Sequence, residues 1–212
     1  DEEAAQAWRK HGIPSERIVF FDKAENWWGP AGQTGPCGPD TEMFIELEQP
    51  DCSPQCGPGC NCGKYVEIWN DVFMQYNKTA EGTYEPLEQK NVDTGMGLER
   101  VVAVLQGKSS PYETELFQGI FHRLAGLSAT EELTENVSAR IVAEHLRAAT
   151  FIMADGISPG NVDQAYVVRR LIRRAVREGR KLGINELFAN KIAESVIDDY
   201  STVYPELHKN RR

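Results

Sequence analysis

Long apolar runs are missing from this 212-residue chain. No stretch approaches the roughly 18 apolar residues that span a bilayer, which excludes a transmembrane helix. A secretory signal is missing as well, and so is a starting Met. The chain opens at Asp1 inside what reads as a helix (Ala4, Ala5, Trp8), so a fragment of something longer is expected. No internal repeat is visible, which excludes a solenoid or repeat array. Positive charge is scarce: 23 Lys and Arg stand against 32 Asp and Glu, for a net charge of −9. That balance argues against a nonspecific nucleic-acid coat, although one segment is locally basic. What is present is ordinary for a soluble globular protein, and the length suits one or two domains with a real core.

Cysteine is sparse but crowded. Four of the five fall at Cys52, Cys56, Cys60 and Cys62. Two unstrained disulfides hardly fit so short a loop. The crowding therefore favours metal and a reducing compartment, the cytoplasm, over a disulfide scaffold. Without a secretory signal, Asn77-Lys78-Thr79 and Asn136-Val137-Ser138 match the glycosylation pattern by chance.

The first half reads as strands and loops. Arg17–Asp22 is a short β-rich run, Asn26–Asp40 a Gly/Pro-rich loop, and Met43–Leu47 a strand. Gln49–Gly63 is a Cys/Gly/Pro loop. Tyr65–Asn77 predicts a long strand, Gly82 a hairpin turn, and Asn91–Thr94 a further strand. From Leu98 the period becomes helical: Leu98, Val101, Val102 and Leu105 share a face that Gly107 closes. Ser110-Pro111-Tyr112-Glu113 has capping-box spacing before a helix using Leu116, Phe117, Ile120, Phe121 and Leu124. Further helices are expected at about Ser138–Ala154, Asn161–Leu182 and Glu186–Tyr200. The fold class is α+β: an antiparallel half, about 1–108, followed by an all-helical half, about 109–212.

The sharpest motif is Asp93-Thr94-Gly95-Met96-Gly97-Leu98-Glu99-Arg100. A strand ends, two glycines permit close backbone approach, and a helix begins whose free N–H groups suit an anion. Arg100 supplies a planar cation for phosphate or a base, and Asp93 a carboxylate for an ammonium group. Gly-x-Gly alone marks only a tight turn; the whole octet is far more specific.

Gly95–Arg100 resembles motif 3 of the class II aminoacyl-tRNA synthetases, and Val92-Asp93-Thr94 narrows the resemblance to alanyl-tRNA synthetases. Gly32–Pro39, preceded by Asn26-Trp27-Trp28, is similar to that family's Gly/Pro loop. Glu67–Gln75 is similar to its active-site strand, and Arg140–Gly183 to its helical tRNA-recognition region. The resemblance implies a partial class II sheet joined to a helical tRNA-binding domain. It also implies activation of alanine by ATP and Mg2+ to alanyl-adenylate, then transfer to the 3′ end of tRNA(Ala). Asp93 would hold the alanine ammonium, and Trp28, Val72 and Gly95 would wall a small pocket. Such a pocket discriminates poorly against glycine and serine; the family carries a separate editing domain, which is not visible here. Arg100 would contact ATP, and Glu67 and Asn70 would hold ATP or its magnesium. Residues three apart on a regular strand face opposite ways, so Glu67 and Asn70 share a site only across a bulge; otherwise Glu67 is a solvated strand carboxylate. No general base is named, because the attacking carboxylate is already ionised and the chemistry is positioning plus charge stabilisation. Motifs 1 and 2 are absent and would lie before Asp1, so the chain alone is expected not to aminoacylate.

Two features stand beside the resemblance. Cys52-x3-Cys56-x3-Cys60-x-Cys62 offers four soft ligands for a closed structural zinc site, or else four free thiols. Cys37, isolated in Gly-Pro-Cys-Gly-Pro, reads as a small buried residue. The helix after Asn161 carries Arg169, Arg170, Arg173, Arg174, Arg177, Arg180 and Lys181 opposite a stripe of Val168, Leu171, Ile172 and Ala175. That is a cationic ridge for RNA phosphates, or a solvated face paired with acids such as Glu194, Asp198 and Asp199. Asn161 either matches the family's reader of the acceptor stem or caps the helix with Gln164. His145 is expected to be packed or capping, not a ligand. Two rival readings are weaker. A non-catalytic RNA-binding paralogue would have lost Asp93 or Arg100, and a zinc-stabilised interaction module would not need the octet.

Overall fold

Two aromatic and β-branched runs of the first half find each other as neighbouring strands. The computed structural model describes residues 2–211. Its elements are α1 (Glu2–Lys10), β1 (Trp27–Trp28), β2 (Gly35–Glu46), β3 (Tyr65–Lys78), β4 (Tyr84–Met96) and α2 (Leu98–Leu105), then α3 (Glu115–Ala125), α4 (Val137–Ala154), α5 (Asp163–Lys181), α6 (Ala189–Tyr200) and α7 (Pro205–Lys209). The four strands form one antiparallel sheet in the order β1-β2-β3-β4. This is the α+β class that the pattern predicts. The chain divides into two units, Asp1–Val104 and Leu105–Arg212.

In the first unit the sheet is irregular where it matters. β2 and β3 slip register between Cys37 and Asp40 and again between Met43 and Phe44, and β3 and β4 slip between Met74 and Tyr76. The indole N–H of Trp8 in α1 donates to Thr41 Oγ1 on β2 at 2.9 Å. Gly82 turns the β3–β4 hairpin with φ +83. Two expectations need correction. Arg17–Asp22 is not a strand: Ser15–Arg17 is a single 3-10 turn and residues 18–22 have no regular structure. A strand needs a ladder partner, and none of the four strands pairs with this segment, which leaves Phe20 55% exposed. Conversely, Asn26–Asp40 is not all loop, because Trp27–Trp28 and Gly35–Asp40 are paired strand. Gly38 is required there, since a Cβ would lie 1.8 Å from the Phe73 carbonyl oxygen.

The second unit is built by helix packing. Phe117, Ile120 and Leu124 of α3, Val142 of α4, and Ile192 and Val196 of α6 are wholly buried in one apolar cluster. Asn136 caps α4, its side-chain oxygen accepting from the N–H groups of Ser138 and Ala139. The expected capping box at Ser110–Glu113 is instead a 3-10 turn. Ser110 Oγ accepts from the Tyr112 N–H, Glu113 takes the Ser109 hydroxyl, and α3 begins only after Thr114. Helix α6 starts at Ala189, later than the expected Glu186. Phe188, just before it, packs its ring onto Gly179 so closely that a Cβ there would meet it at 2.2 Å. The short α7 has no counterpart in the sequence reading; Leu207 anchors it at 1% exposure.

Candidate functional site

Strand pairing decides which side chains of the sheet can meet, because directly opposed residues share a face and residues two apart repeat it. One row runs Asp40, Val72, Asp93 across β2, β3 and β4. The next runs Glu42, Asn70, Gly95. These six positions therefore lie on one face. The amide of Asn70 donates to Asp40 Oδ2 at 3.2 Å and to Glu42 Oε1 at 3.1 Å. The alternate residues carry a separate chain on the other face: the Trp69 indole donates to Thr94 Oγ1, and Thr94 to Asp71 Oδ1, both at 2.5 Å.

The bulge needed to unite Glu67 with Asn70 is present. Met43 pairs with Trp69 but Phe44 pairs with Glu67, so β3 carries one extra residue, Ile68, at that step. Phe44 repeats the face of Glu42, and Glu67 is thereby turned onto the face of Asn70. The motif octet is fastened to the same bulge. The Gly97 N–H donates to Ile68 O at 3.0 Å. Arg100 Nη1 donates to Glu67 O at 2.8 Å and to Glu67 Oε2 at 3.0 Å. Arg100 thus reaches the face that bears Asp93. The Asp93 side chain is exposed and makes no hydrogen bond or ion pair among the described residues. Trp28 pairs with Gly38, two positions along β2 from Asp40, and is half-exposed.

Two carboxylates of this face, Asp40 and Glu42, escaped the sequence reading. Burial pushes the Asp40 carboxyl up, against a hydrogen bond from Asn70 that lowers it. Burial, followed by the negative charges of Glu67 and Asp40, pushes Glu42 up to about 7. Asp40 Oδ1 and Asn70 Oδ1 are buried with no hydrogen-bond partner. An orphaned acceptor costs about 1–3 kcal/mol, so two together beside crowded carboxylates leave acceptor capacity that no described residue fills. The available signal was the alternation Asp40-x-Glu42 on a strand, hidden by reading Gly35–Asp40 as loop.

In the second unit, Arg169, Arg170, Arg173, Arg174, Arg177, Arg180 and Lys181 are all exposed along α5, while Val168 and Ala175 on the opposite side are fully buried. Glu178 is only 2% exposed and takes Lys181, Arg177 and Ser138; Lys181 first, then the other two, hold it down to about 2. Arg170, Arg173, Arg174 and Arg180 have no acidic partner among the described residues, and Glu194 pairs with Arg211 instead. Asn161 does not cap α5: Val162 holds that position, and the Asn161 side-chain oxygen accepts from Arg169. His145 is half-buried, and burial followed by the Arg174 charge lowers its pKa.

Cys37 is fully buried, as expected. The sulfur atoms of Cys52, Cys56, Cys60 and Cys62 all lie within 4.8 Å of one another, a cluster that could hold a metal ion. The crowding pushes the Cys52 thiol up to about 12 through hydrogen bonds with Cys60, Cys56 and Cys62. The Lys64 backbone N–H brings Cys62 down to about 7.

Across residues 1–212 the sequence matches the family described as tRNA synthetases class II (A). The alanine–tRNA ligase of Treponema pallidum (strain Nichols) is 55% identical over 214 residues, covering 99% of this chain and 35% of that protein. The alanine–tRNA ligase of Treponema denticola is 53% identical, covering 99% of this chain and 36% of that protein. That of Borrelia hermsii is 45% identical, covering 100% and 36%. The chain thus spans about a third of the length of these curated relatives. With the family pattern matched over its whole length and its motif turn fastened to an active-site-like strand, this chain belongs to the class II (A) tRNA synthetases.

Proposed function

We propose that this chain is the amino-acid, ATP and tRNA-binding part of a cytoplasmic alanine–tRNA ligase. The observation that carries the reading is the β3 bulge, which sets Glu67, Asn70 and Arg100 on the face that bears Asp93. Asp93 binds the alanine ammonium. Val72, Gly95 and Trp28 would wall a pocket small enough for a methyl side chain. The alanine carboxylate attacks the α-phosphorus of ATP, pyrophosphate leaves, and the resulting alanyl-adenylate gives its acyl group to the tRNA 3′-terminal ribose with release of AMP. No protein base is needed, since the nucleophile is already an anion; Arg100 positions the triphosphate and offsets its charge.

Glu67 and Asn70, with Asp40 and Glu42 beside them, fit a hard divalent cation, and the orphaned oxygens of Asp40 and Asn70 support this. Mg2+ held there would neutralise phosphate oxygens. The α5 ridge, its arginines exposed and largely unpaired, would lie along tRNA phosphates, and Asn161 beside Arg169 would read the acceptor stem. The described residues contain no helix long and apolar enough to cross a membrane.

Alanine-dependent ATP–pyrophosphate exchange by the complete protein that carries this chain tests the reading. Asp93→Asn should lower kcat/KM for alanine by about 10²-fold, near 3 kcal/mol, as loss of a charged partner does. An unchanged response to alanine would refute it. Arg170→Ala and Arg173→Ala should each weaken tRNA binding and lower the log–log salt slope by about 1.

A further inference from the structure

The segment between β2 and β3 has too little apolar burial to order itself. None of residues 49–63 is buried. It is fifteen residues of Gly, Pro, Cys and polar side chains by its own numbering, a length at which a loop without regular structure calls for a reason. Its base is secured by Lys64, which is 9% exposed and pairs with Glu46 at 3.1 Å and Asp51 at 2.5 Å. The Leu47 N–H donates to Lys64 O at 2.8 Å. Beyond that base, two tight turns deliver sulfur atoms to one spot. The Cys56 N–H donates to Ser53 O at 3.0 Å, and the Cys60 N–H to Gly57 O at 2.8 Å. Gly59 lies under the Phe21 ring, where a Cβ would be 2.8 Å from Cε1, so a side chain there would displace the ring.

From this geometry we infer that Cys52, Cys56, Cys60 and Cys62 bind one structural Zn2+, a clip that closes the β2–β3 hairpin. The four thiols are all free, with Cys52 Sγ to Cys60 Sγ at 3.2 Å and Cys56 Sγ to Cys62 Sγ at 3.7 Å. A tetrahedral site with Zn–S bonds of about 2.3 Å has sulfur–sulfur edges of about 3.8 Å, so only a small adjustment admits the ion. Four thiolates with no open position suit zinc held for structure. The spacing differs from the Cys-x2-Cys-x2-Cys and Cys-x4-Cys-x2-Cys runs that hold iron–sulfur clusters. Each coordinated sulfur releases its proton, and the dication then offsets half of the four negative charges crowded at one point. Cys62, the last ligand of the clip, lies five residues before Glu67, so the clip braces the start of the strand that carries the bulge.

The inference is independent of the ligase reading and is tested apart from it. The chain, purified without added metal, should contain about one zinc per molecule by elemental analysis. A mercurial thiol reagent should release that zinc in step with four sulfurs. Replacement by Co2+ should give the intense visible bands of tetrahedral thiolate coordination. Cys52→Ser and Cys62→Ser should each lose most of the metal and expose residues 49–63 to protease; Cys37→Ala should change neither. If the serine variants do not fold, chelation and zinc restoration on the unaltered chain replace them, with amide exchange of residues 49–63 as the readout. Exchange that rises on chelation and falls on restoration supports the clip. A metal-free chain with a protected loop, a pair of disulfides in the mass spectrum, or bound iron with sulfide would each overturn it.

Discussion

The two units hold themselves together differently. The helical unit contains a dry cluster of fully buried side chains, including Phe117, Ile120, Leu124 and Ile192. The sheet unit has no such cluster among the described residues. Its buried apolar side chains are few and separate (Ala5, Cys37, Val72, Met74, Ala103), and its order comes from strand pairing, polar links and the Lys64 ion pairs. Val92 at 60% exposure and Met96 at 46% show how open β4 is. One region spends its residues on packing, the other on presenting charged side chains along a surface. The lesson is that the layout of the candidate site comes from register and bulges, whereas stability comes from helix interdigitation.

The largest expected effect lies in the helical core. Phe117→Ala should cost about 3–5 kcal/mol by leaving a cavity, while Val72→Ala in the sheet should cost about 1–2 kcal/mol. Urea unfolding followed by a probe in each unit checks this, and equal losses would break the contrast. A pH series on Glu178→Gln comes next. The Glu178 carboxyl is held down to about 2, so its stabilising share is complete above the ordinary carboxylate range near pH 4.5 and fades as pH falls through about 2. The substitution should lower Tm at pH 7, with the gap to the parent narrowing toward pH 2. A gap independent of pH would remove the electrostatic explanation.

The smallest effect has the opposite sign and belongs to the sheet. Glu42 is pushed up to about 7, so its protonated form suits the fold, and ionisation between about pH 4.5 and 7 weakens it. Because the group is partly solvated, the cost is reduced to about 1 kcal/mol. Glu42→Gln should therefore raise Tm by about 2–4 °C at pH 8 and by little at pH 5. A loss at pH 8 would mean that the Glu42 hydrogen bond from Asn70 outweighs the crowding.

The helices were legible because their periods are local. Phe117, Ile120, Phe121 and Leu124 on α3, like Val168 and Ala175 on α5, are buried where the spacing placed them. Strand β3 was legible for the same reason, and the Asp93–Arg100 octet because its glycines and guanidinium stand together in the chain. Strand identity elsewhere was not. Residues 18–22 have the composition of a strand but no partner, and Gly35–Asp40 has the composition of a loop but pairs with β3 over part of its length. Ladder formation is a long-range fact, and composition does not report it. Asp40 and Glu42 were missed for that reason. The Glu67–Asn70 relation could be posed from spacing but was answered only by register. Asn161 fitted a capping pattern, yet the neighbouring Arg169 takes its oxygen.

The supernumerary Ile68 does more than reorient a carboxylate. Its carbonyl receives the Gly97 N–H, and the preceding carbonyl, of Glu67, receives Arg100. Shortening β3 by that one residue would restore even alternation and leave Glu67 and Asn70 facing alike, while taking away the seat on which the glycine turn rests. Charge layout and turn anchorage are thus separable properties of a single strand, and a chain can keep every acidic and basic side chain of the face yet lose the grip that aims its guanidinium.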